Sequence, residues 1–532
     1  MKRLPLGIQD FRKIIEGDYL YVDKTHYIYD LINSASYYFL SRPRRFGKSL
    51  LLDTIAEAFG GDRELFRGLW IYGSDFGFEK HPVIRLDMSK IANKTPETLE
   101  NSLLSNLRNR ISDEGFGIAD DVPSDAFHHL IEMLYKKYGK RVVVLIDEYD
   151  KPIVDHLTDI EKAEANRAVL RGFYGILKSM DPFLRMTFFT GVTKFTKTSI
   201  FSELNNLLDI TLTKDYAGIC GIPVEDLGKL FHEHIADLSS VDELRQISSI
   251  HDEILTWYDG YSWDGVNRVL NPFGLFSFFI QKRFASYWYA SGTPKFLVDL
   301  IVKDPGVYTN LKNLRMMEIM LDNYDIREID AESLLFQTGY LTIKDKTFVG
   351  VEYVYTLDMP NHEVRKAFDL HVLSAFSGNG QSRVIQAQME AGEALMTGNL
   401  QKLLDILKGL FASIPYQLHI DREAYYHSIF YAVMNVLGFD VEAEVSTSKG
   451  RIDAVLELEG KVYVMEFKYH DCGPDAAPEE KRGLFDKVLD DGMRQIKEKG
   501  YADRYIAGGK DIRLAAFAFL GRNDIEMRTE KL

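Results

Sequence analysis

Cysteine is nearly absent from this sequence of 532 residues, with only Cys220 and Cys472. Two thiols that far apart form neither a disulfide framework nor a paired metal knuckle. A reducing compartment follows, and the cytoplasm is the expected location. Proline-rich, glycine-rich and low-complexity tracts are also missing, so extended disorder is excluded as a main feature. No apolar run is long enough to span a bilayer; one of the strongest, Leu275 to Ile280, is far too short. The opening stretch, Met1 to Asp10, lacks the apolar core of a signal peptide. No membrane partner is expected. An excess of positive charge is absent as well: the formal net charge is −15. General coating of nucleic acid is thereby disfavoured, although a local basic groove inside an acidic protein still binds phosphates.

What is present is an ordinary globular composition, 46% hydrophobic and 27% charged, on a chain too long for one core, so several compact units are expected. Tyr37 to Leu40 leads into Ser41-Arg-Pro-Arg-Arg-Phe-Gly-Lys-Ser49, and Leu50 to Phe59 reads as a helix ended by Gly60-Gly61. Pro82 to Asp87, Val142 to Ile146 and Met186 to Thr190 read as strands, with helical patterns between them such as Ala163 to Met180. Buried strands alternating with helices predict an α/β domain with a parallel sheet covered on both faces. Beyond Asp215 helices dominate, over Val224 to Phe231, Val241 to Trp257 and Phe273 to Phe284, as in a helical lid. Residues 306–405 are mixed, with a strand-rich patch at Leu341 to Tyr355 and a helix at Glu363 to Ala375, and suggest no role. A new pattern starts near Asp421: helix to Leu437, strand Ile452 to Leu458, turn Glu459-Gly-Lys461, strand Val462 to Tyr469, helix Glu479 to Lys499, strand Leu514 to Leu520. The expected division is 1–215, 216–305, 306–405 and 406–532, without internal repeats.

A phosphate-binding loop needs backbone N–H groups curled around an anion at a helix N-terminus, a lysine for the β and γ oxygens, and a hydroxyl for Mg²⁺. Gly47, Lys48 and Ser49 supply these parts. The usual motif opens with glycine, where this chain has Arg42, followed by Pro43, Arg44 and Arg45; Arg42, Arg44 and Arg45 form a basic loop expected to bind the nucleotide, at least one of them touching a phosphate directly. Alone, the Gly-Lys-Ser tripeptide is equally an exposed basic turn. Downstream, Arg141-Val-Val-Val-Leu-Ile-Asp-Glu148 is an apolar strand ending in two acids, as a Walker B element is. In that reading Asp147 serves Mg²⁺ and Glu148 polarises the attacking water. Acids also commonly follow strands as solvated ends, and it is the two elements in order that favour ATP.

Near the other end, Asp453 opens one strand of a hairpin, and Glu466 and Lys468 stand two apart on the next, hence on one face. Two carboxylates converging on Mg²⁺ with a lysine beside the water are the parts of a metal-dependent phosphodiesterase. The bland alternative is a half-exposed hairpin with a weak Glu466–Lys468 pair. On the following helix Gln495 lies at the edge of an apolar face that includes Leu489, Met493 and Ile496, which suggests a site contact.

Tyr21-Val-Asp-Lys-Thr25, Arg42 to Ser49, Ile146-Asp-Glu-Tyr-Asp150, Thr190-Gly191, Trp257-Tyr-Asp-Gly-Tyr261 and Asn271-Pro272 together resemble the bacterial AAA-ATPase-like family. Members commonly carry a C-terminal PD-(D/E)XK nuclease-like domain, which the spacing of Asp453, Glu466 and Lys468 also resembles, with Ile452 where the motif has proline. The resemblance implies a P-loop NTPase domain, a helical lid and a C-terminal α/β nuclease-like domain. It makes Arg42 a family trait, Thr190 a polar sensor and Glu423 a further acid. Asp23, Lys24 and Thr25 either help seat the nucleotide or form a surface turn; Asp259 and Tyr261 either close over it or form a packed turn. The implied activity is Mg²⁺-dependent ATP hydrolysis coupled to a nuclease acting on DNA, with RNA second and self-association admitted. The alternatives are an ATP-controlled nucleic-acid switch that does not cut, and an interaction scaffold with residual ATP binding.

Overall fold

A computed structural model describes the chain outside residues 118–119, 195–199, 202–203, 205, 289–300, 302–306, 308–310, 312, 323–329, 378–380, 413–440, 448–449, 459, 471, 473–476, 501, 507–508 and 521–523. It divides into two compact units, residues 1–292 with 313–363, and residues 293–312 with 364–532.

The first unit is built on five parallel strands in the order β2-β3-β4-β1-β5: β1 (Tyr37–Ser41), β2 (Val83–Asp87), β3 (Val142–Asp147), β4 (Leu184–Gly191) and β5 (Leu208–Asp209). β1 and β3 are buried along their whole length, as strands covered on both faces must be. Helix α1 (Lys48–Gly60) follows β1, while α2 (Pro96–Asp113), α3 (Pro123–Tyr138) and α4 (Ile160–Ser179) pack against one another. Helix starts follow the sequence chemistry. Thr95 accepts the Thr98 N–H ahead of Pro96, and Asp159 accepts that of Lys162.

The helical segment beyond this sheet has its own apolar cluster, including Phe231, Leu275 and Phe279, and a small ladder of β6 (Ile222–Pro223) with β7 (Val269–Leu270). Its expected helix over Val241 to Trp257 is interrupted. One turn covers Asp242–Arg245, and α5 (Ile250–Tyr258) starts anew because the Ser249 side chain accepts the Asp252 N–H. Next comes α6 (Pro272–Gln281), capped by Asn271 accepting from Gly274. The strand-rich patch is a three-stranded antiparallel sheet of order β8-β10-β9, from β8 (Leu314–Met317), β9 (Thr342–Val349) and β10 (Glu352–Asp358), with α7 (Ala331–Thr338) before β9.

Helix α8 (His362–Ser377) starts at the end of the first unit, and α9 (Gln381–Thr397) and α10 (Leu400–Ala412) belong to the second. The second unit's sheet runs in chain order through β11 (Val441–Thr447), β12 (Gly450–Leu458), β13 (Lys461–His470), β14 (Asp511–Leu520) and β15 (Asp524–Lys531). Only β13 and β14 are parallel, joined by the crossover helix α11 (Pro478–Glu498). Leu489, Met493 and Ile496 of α11 sit on Val464, Leu514 and Ala516. The expected helix Asp421 to Leu437 lies outside the described residues. The fold is therefore α/β, a P-loop-type parallel sheet with a helical segment and a C-terminal α/β domain.

Candidate functional site: a phosphate loop and a paired-carboxylate hairpin

At the end of β1 the chain is tied into the sheet before it turns. The Ser41 N–H donates to Thr211 Oγ1 (3.0 Å), the Ser41 hydroxyl to the Val192 carbonyl (2.6 Å), and the Arg42 N–H to the Gly191 carbonyl (3.1 Å). The loop then requires two left-handed residues, Arg45 at φ +69° and Gly47 at φ +94°, before α1 begins at Lys48. No side chain caps α1, so its first N–H groups and positive dipole end are left to a ligand.

Arg42 is fully buried, and it does not line the cavity above the loop. Its guanidinium donates to the carbonyls of Ser41 (2.9 Å), Thr211 (2.9 Å) and Tyr216 (3.3 Å) and lies 4.0 Å from the centre of the Trp263 ring. Burial pushes it down to about 10. Arg42 thus braces the loop from beneath, which sets it apart from the phosphate-contacting role expected of it. Phe46 inserts edge-on against Tyr261 and Trp263, and the Trp288 indole donates to the Arg44 carbonyl (2.9 Å). Tyr261 is therefore part of a packed turn that supports the loop, and Asp259 pairs with Arg268 (3.2 Å).

Above the loop lies a cavity of about 470 Å³ whose polar wall includes Arg44, Arg45, Lys48, Ser49, Asp147 and Glu148. Residues Pro5 to Gln9 and the start of α6 complete it. Lys48 is almost wholly buried; its ammonium donates to the Arg42 and Pro43 carbonyls (3.0 and 3.2 Å) and lies 3.6 Å from Glu148 Oε1. Asp147, at the end of β3, accepts the Thr190 hydroxyl (2.7 Å) and that of Ser49. Its pKa is raised by burial first and by Glu148 second. Glu148 adopts φ +51°, a conformation that side-chain-bearing residues rarely hold, with its N–H on Asp147 Oδ1 (3.0 Å). Thr190 itself is buried and meets the site only through Asp147.

Sequence reasoning missed Asp87. It ends β2 in register with Asp147 and lines the same cavity, its carboxylate held by the Ser89 N–H (3.0 Å) and hydroxyl. Only the adjacency of β2 and β3 exposes it. Asp23, Lys24 and Thr25 are otherwise engaged. Asp23 accepts from Trp70 N–H (2.7 Å), Thr25 from Ile71 N–H (3.1 Å), and the Lys24 ammonium donates to Gly218 carbonyl (2.7 Å). None of the three lines the cavity, and Lys24 and Thr25 are buried and not on the surface.

In the second unit β12 and β13 bring three of the expected groups together. Asp453 Oδ2 accepts the Phe467 N–H (2.8 Å), and Glu466 Oε1 accepts the Lys468 ammonium (2.7 Å). Glu466 is fully buried, and its Oε2 has no hydrogen-bond partner. Burial, then the Asp453 charge, push the Glu466 carboxyl up to about 7. Gly492 of α11 packs on Ala516 and the Lys468 stem, where a Cβ would meet Ala516 at 3.0 Å. Gln495, half-buried, is one turn further along that helix. Glu423 lies outside the described residues, among which no group of three or more His, Cys, Asp or Glu side chains is gathered for a metal. The orphaned, buried Glu466 oxygen beside Asp453 and Lys468 is nonetheless what a divalent cation would satisfy.

These two sites define a P-loop ATPase-like fold followed by a PD-(D/E)XK-like fold. The model of the family described as "Predicted AAA-ATPase" matches residues 5–201, and that of the PD-(D/E)XK nuclease superfamily matches residues 421–528. A protein of Azotobacter chroococcum mcd 1, described as an uncharacterized protein in the vnfD 5' region, is 37% identical over 526 residues, covering 97% of this chain and 96% of the relative. The chain belongs to the AAA-ATPase-like family and carries a C-terminal PD-(D/E)XK nuclease superfamily domain. A solved structure of the Aeropyrum pernix ORC2 protein is similar at 11% identity and a TM-score of 0.27, covering 69% of this chain and 98% of that one, too loose a likeness to carry weight.

Two outcomes follow. Arg42→Ala removes the guanidinium's hydrogen bonds to three buried carbonyls and should cost about 3 kcal/mol or more, read as a lower denaturant midpoint; an unchanged midpoint contradicts the bracing role. Glu466, whose carboxyl ordinarily ionises near 4.5, keeps its proton to higher pH when folded than when unfolded. Its contribution to stability is therefore full below 4.5 and is lost as pH rises to about 7. Glu466→Gln should raise stability above pH 7, by at most about 3 kcal/mol, and the gain should vanish below pH 4.5. Parallel stability curves for the two proteins would contradict this.

Proposed function

We propose that the chain binds and hydrolyses ATP with Mg²⁺ at the loop of Gly47, Lys48 and Ser49, and that this reaction controls a metal-dependent nuclease unit acting on DNA, with RNA second. The observation that carries the reading is the single cavity onto which Lys48, Ser49, Asp147 and Glu148 all open at the N-terminus of α1. In it, the α1 amides, Lys48, Arg44 and Arg45 bind the phosphates. Ser49 and Asp147 are the residues that would hold Mg²⁺, which when bound neutralises phosphate charge. Glu148, beside the buried Lys48, orients the water that attacks the terminal phosphorus and draws its proton, releasing ADP and phosphate. Thr190 fixes Asp147 by its hydroxyl, and Asp87 adds a second carboxylate at the end of the neighbouring strand.

For the second unit, Asp453 and Glu466 would hold the divalent ion, with Glu423 as a further ligand, and the ion would supply charge neutralisation at the phosphodiester. Lys468 positions the attacking water, and Gln495 approaches the phosphate from α11. The domain division at 215, 305 and 405 belongs to the same proposal, as does a cytoplasmic location. Among the described residues no helix is long and apolar enough to cross a membrane.

Phosphate release and strand cleavage, assayed with single- and double-stranded DNA and RNA, separate the two activities. Lys48→Ala should lose both ATP affinity and turnover; Glu148→Gln should keep affinity while turnover falls by about a hundredfold or more. Wild-type turnover in Lys48→Ala overturns the ATP site. Asp453→Ala or Lys468→Ala should abolish cleavage and leave ATP turnover within about twofold, since separate domains carry them. A wild type that cuts nothing under varied metals, yet binds DNA with an affinity that falls as salt rises, replaces the nuclease with a switch.

A further inference from the structure

The first unit buries an acid that the chemistry above does not use. Glu363, in the first turn of α8, has no exposed surface. One oxygen accepts the Trp288 N–H at 2.5 Å, with the Tyr287 N–H also bonded to the carboxyl; the other oxygen is buried without a partner. The Glu363 main chain is engaged too, its carbonyl accepting the Ser286 hydroxyl at 3.0 Å. Helix α6 presses on the same carboxyl so closely that a Cβ on Gly274 would stand 2.8 Å from the unpartnered oxygen. The Trp288 residue held in this way reaches the loop itself, because its indole N–H donates to the Arg44 carbonyl at 2.9 Å. Its ring is wedged against Tyr340 and Tyr261, and Tyr261 in turn supports Phe46. From acid to loop, the path is two hydrogen bonds through one residue.

We propose that Glu363 is a positioning residue for the phosphate-binding loop, holding the Arg44 carbonyl in place through Trp288, and that ionisation of its carboxyl rearranges this anchor. The proposal rests on the ATP reading of that loop. Among the described residues, the charged or titratable groups facing the carboxyl are phenols: Tyr258 of α5, Tyr287 in the Trp288 segment, and Tyr261. Helix α6 meets it with Gly274, and on its own helix the neighbouring His362 ring lies against Trp257. Burial, opposed only by the two backbone N–H groups, pushes the Glu363 carboxyl up to about 8. Ionisation there places a negative charge on an oxygen with no donor. The surrounding structure must shift to bring a donor or water to it. The Trp288 anchor is the part of that structure that continues into the loop.

Two readouts test this. The first needs no nucleotide: tryptophan fluorescence of the full chain is followed from about pH 6 to 10, across the point at which a carboxyl so buried ionises. The wild type should show a transition near pH 8. Glu363→Gln, which keeps the shape and an acceptor oxygen but cannot ionise, should lack it, and Trp288→Phe, which keeps the backbone N–H but lacks the indole donor, should lose most of its amplitude. The second is ATP turnover. A group ionising near 8 predicts that wild-type kcat/KM falls about tenfold between pH 7 and pH 9, and that Glu363→Gln removes this fall. A Glu363→Gln protein that keeps the wild-type fluorescence transition, or the wild-type descending limb, overturns the proposal. Expected fluorescence behaviour with no ATP turnover in any protein supports the Glu363–Trp288 link and sinks the ATP reading instead.

Discussion

The first unit depends on one buried carboxylate. Asp147 ends β3, an interior strand of the sheet, and takes hydroxyl groups from two other elements, Ser49 of α1 and Thr190 of β4. That convergence works only if β3, β4 and the start of α1 end at one level, which the parallel registers provide. Ile146 lies level with Phe189, and Thr190 with Leu40. A carboxylate there is costly in isolation, and burial raises its pKa accordingly. The cost is offset by the hydroxyls and by Lys48 nearby, and the same oxygen atoms are the ones a hard cation would take.

Around this centre the fold spends several side chains on holding backbone. Asp150, buried two residues beyond Glu148, accepts the N–H groups of Val192 and Thr193 and the Thr193 hydroxyl, which fixes the exit of β4. Tyr149 donates to the Thr193 carbonyl, and no side chain fits at Gly191, where a Cβ would stand 2.4 Å from the Tyr149 ring. Arg42 does the corresponding work below the loop. This chain's departure from glycine at the first motif position is therefore a different solution to the same problem: a buried cation bonded to three carbonyls replaces a flexible turn. The second unit shows the opposite state of affairs. Its Glu466 keeps one oxygen unsatisfied in the interior, and the pair it forms with Lys468 neutralises only part of that cost.

The elements with a strong local signal were legible in the sequence. The largely apolar β1 and β3, the Gly-Lys-Ser start of α1, the acids at the end of β3 and the Asp453, Glu466 and Lys468 spacing all stand where local pattern puts them. What was not legible depends on contacts between distant segments. Arg42 reads as one more basic loop residue until Thr211, Tyr216 and Trp263 are seen to enclose it. Asp87 gains meaning only from the β2–β3 register. The break before α5 was hidden because a continuous apolar period masks a serine cap. The edge strand β15, Asp-Ile-Glu-Met-Arg-Thr-Glu-Lys, has too many charges to resemble a strand by composition, since one of its edges and much of its surface face solvent.

The central claim is that Asp147 and Ser49 organise a Mg²⁺-nucleotide site at the start of α1. Calorimetric titration of the wild type and of Asp147→Asn with a non-hydrolysable ATP analogue, with Mg²⁺ and with a chelator, tests it most directly. The account predicts wild-type binding that tightens with Mg²⁺ and Asp147→Asn binding that is indifferent to it. Absence of nucleotide binding by the wild type, or Mg²⁺ dependence that survives in Asp147→Asn, would contradict it.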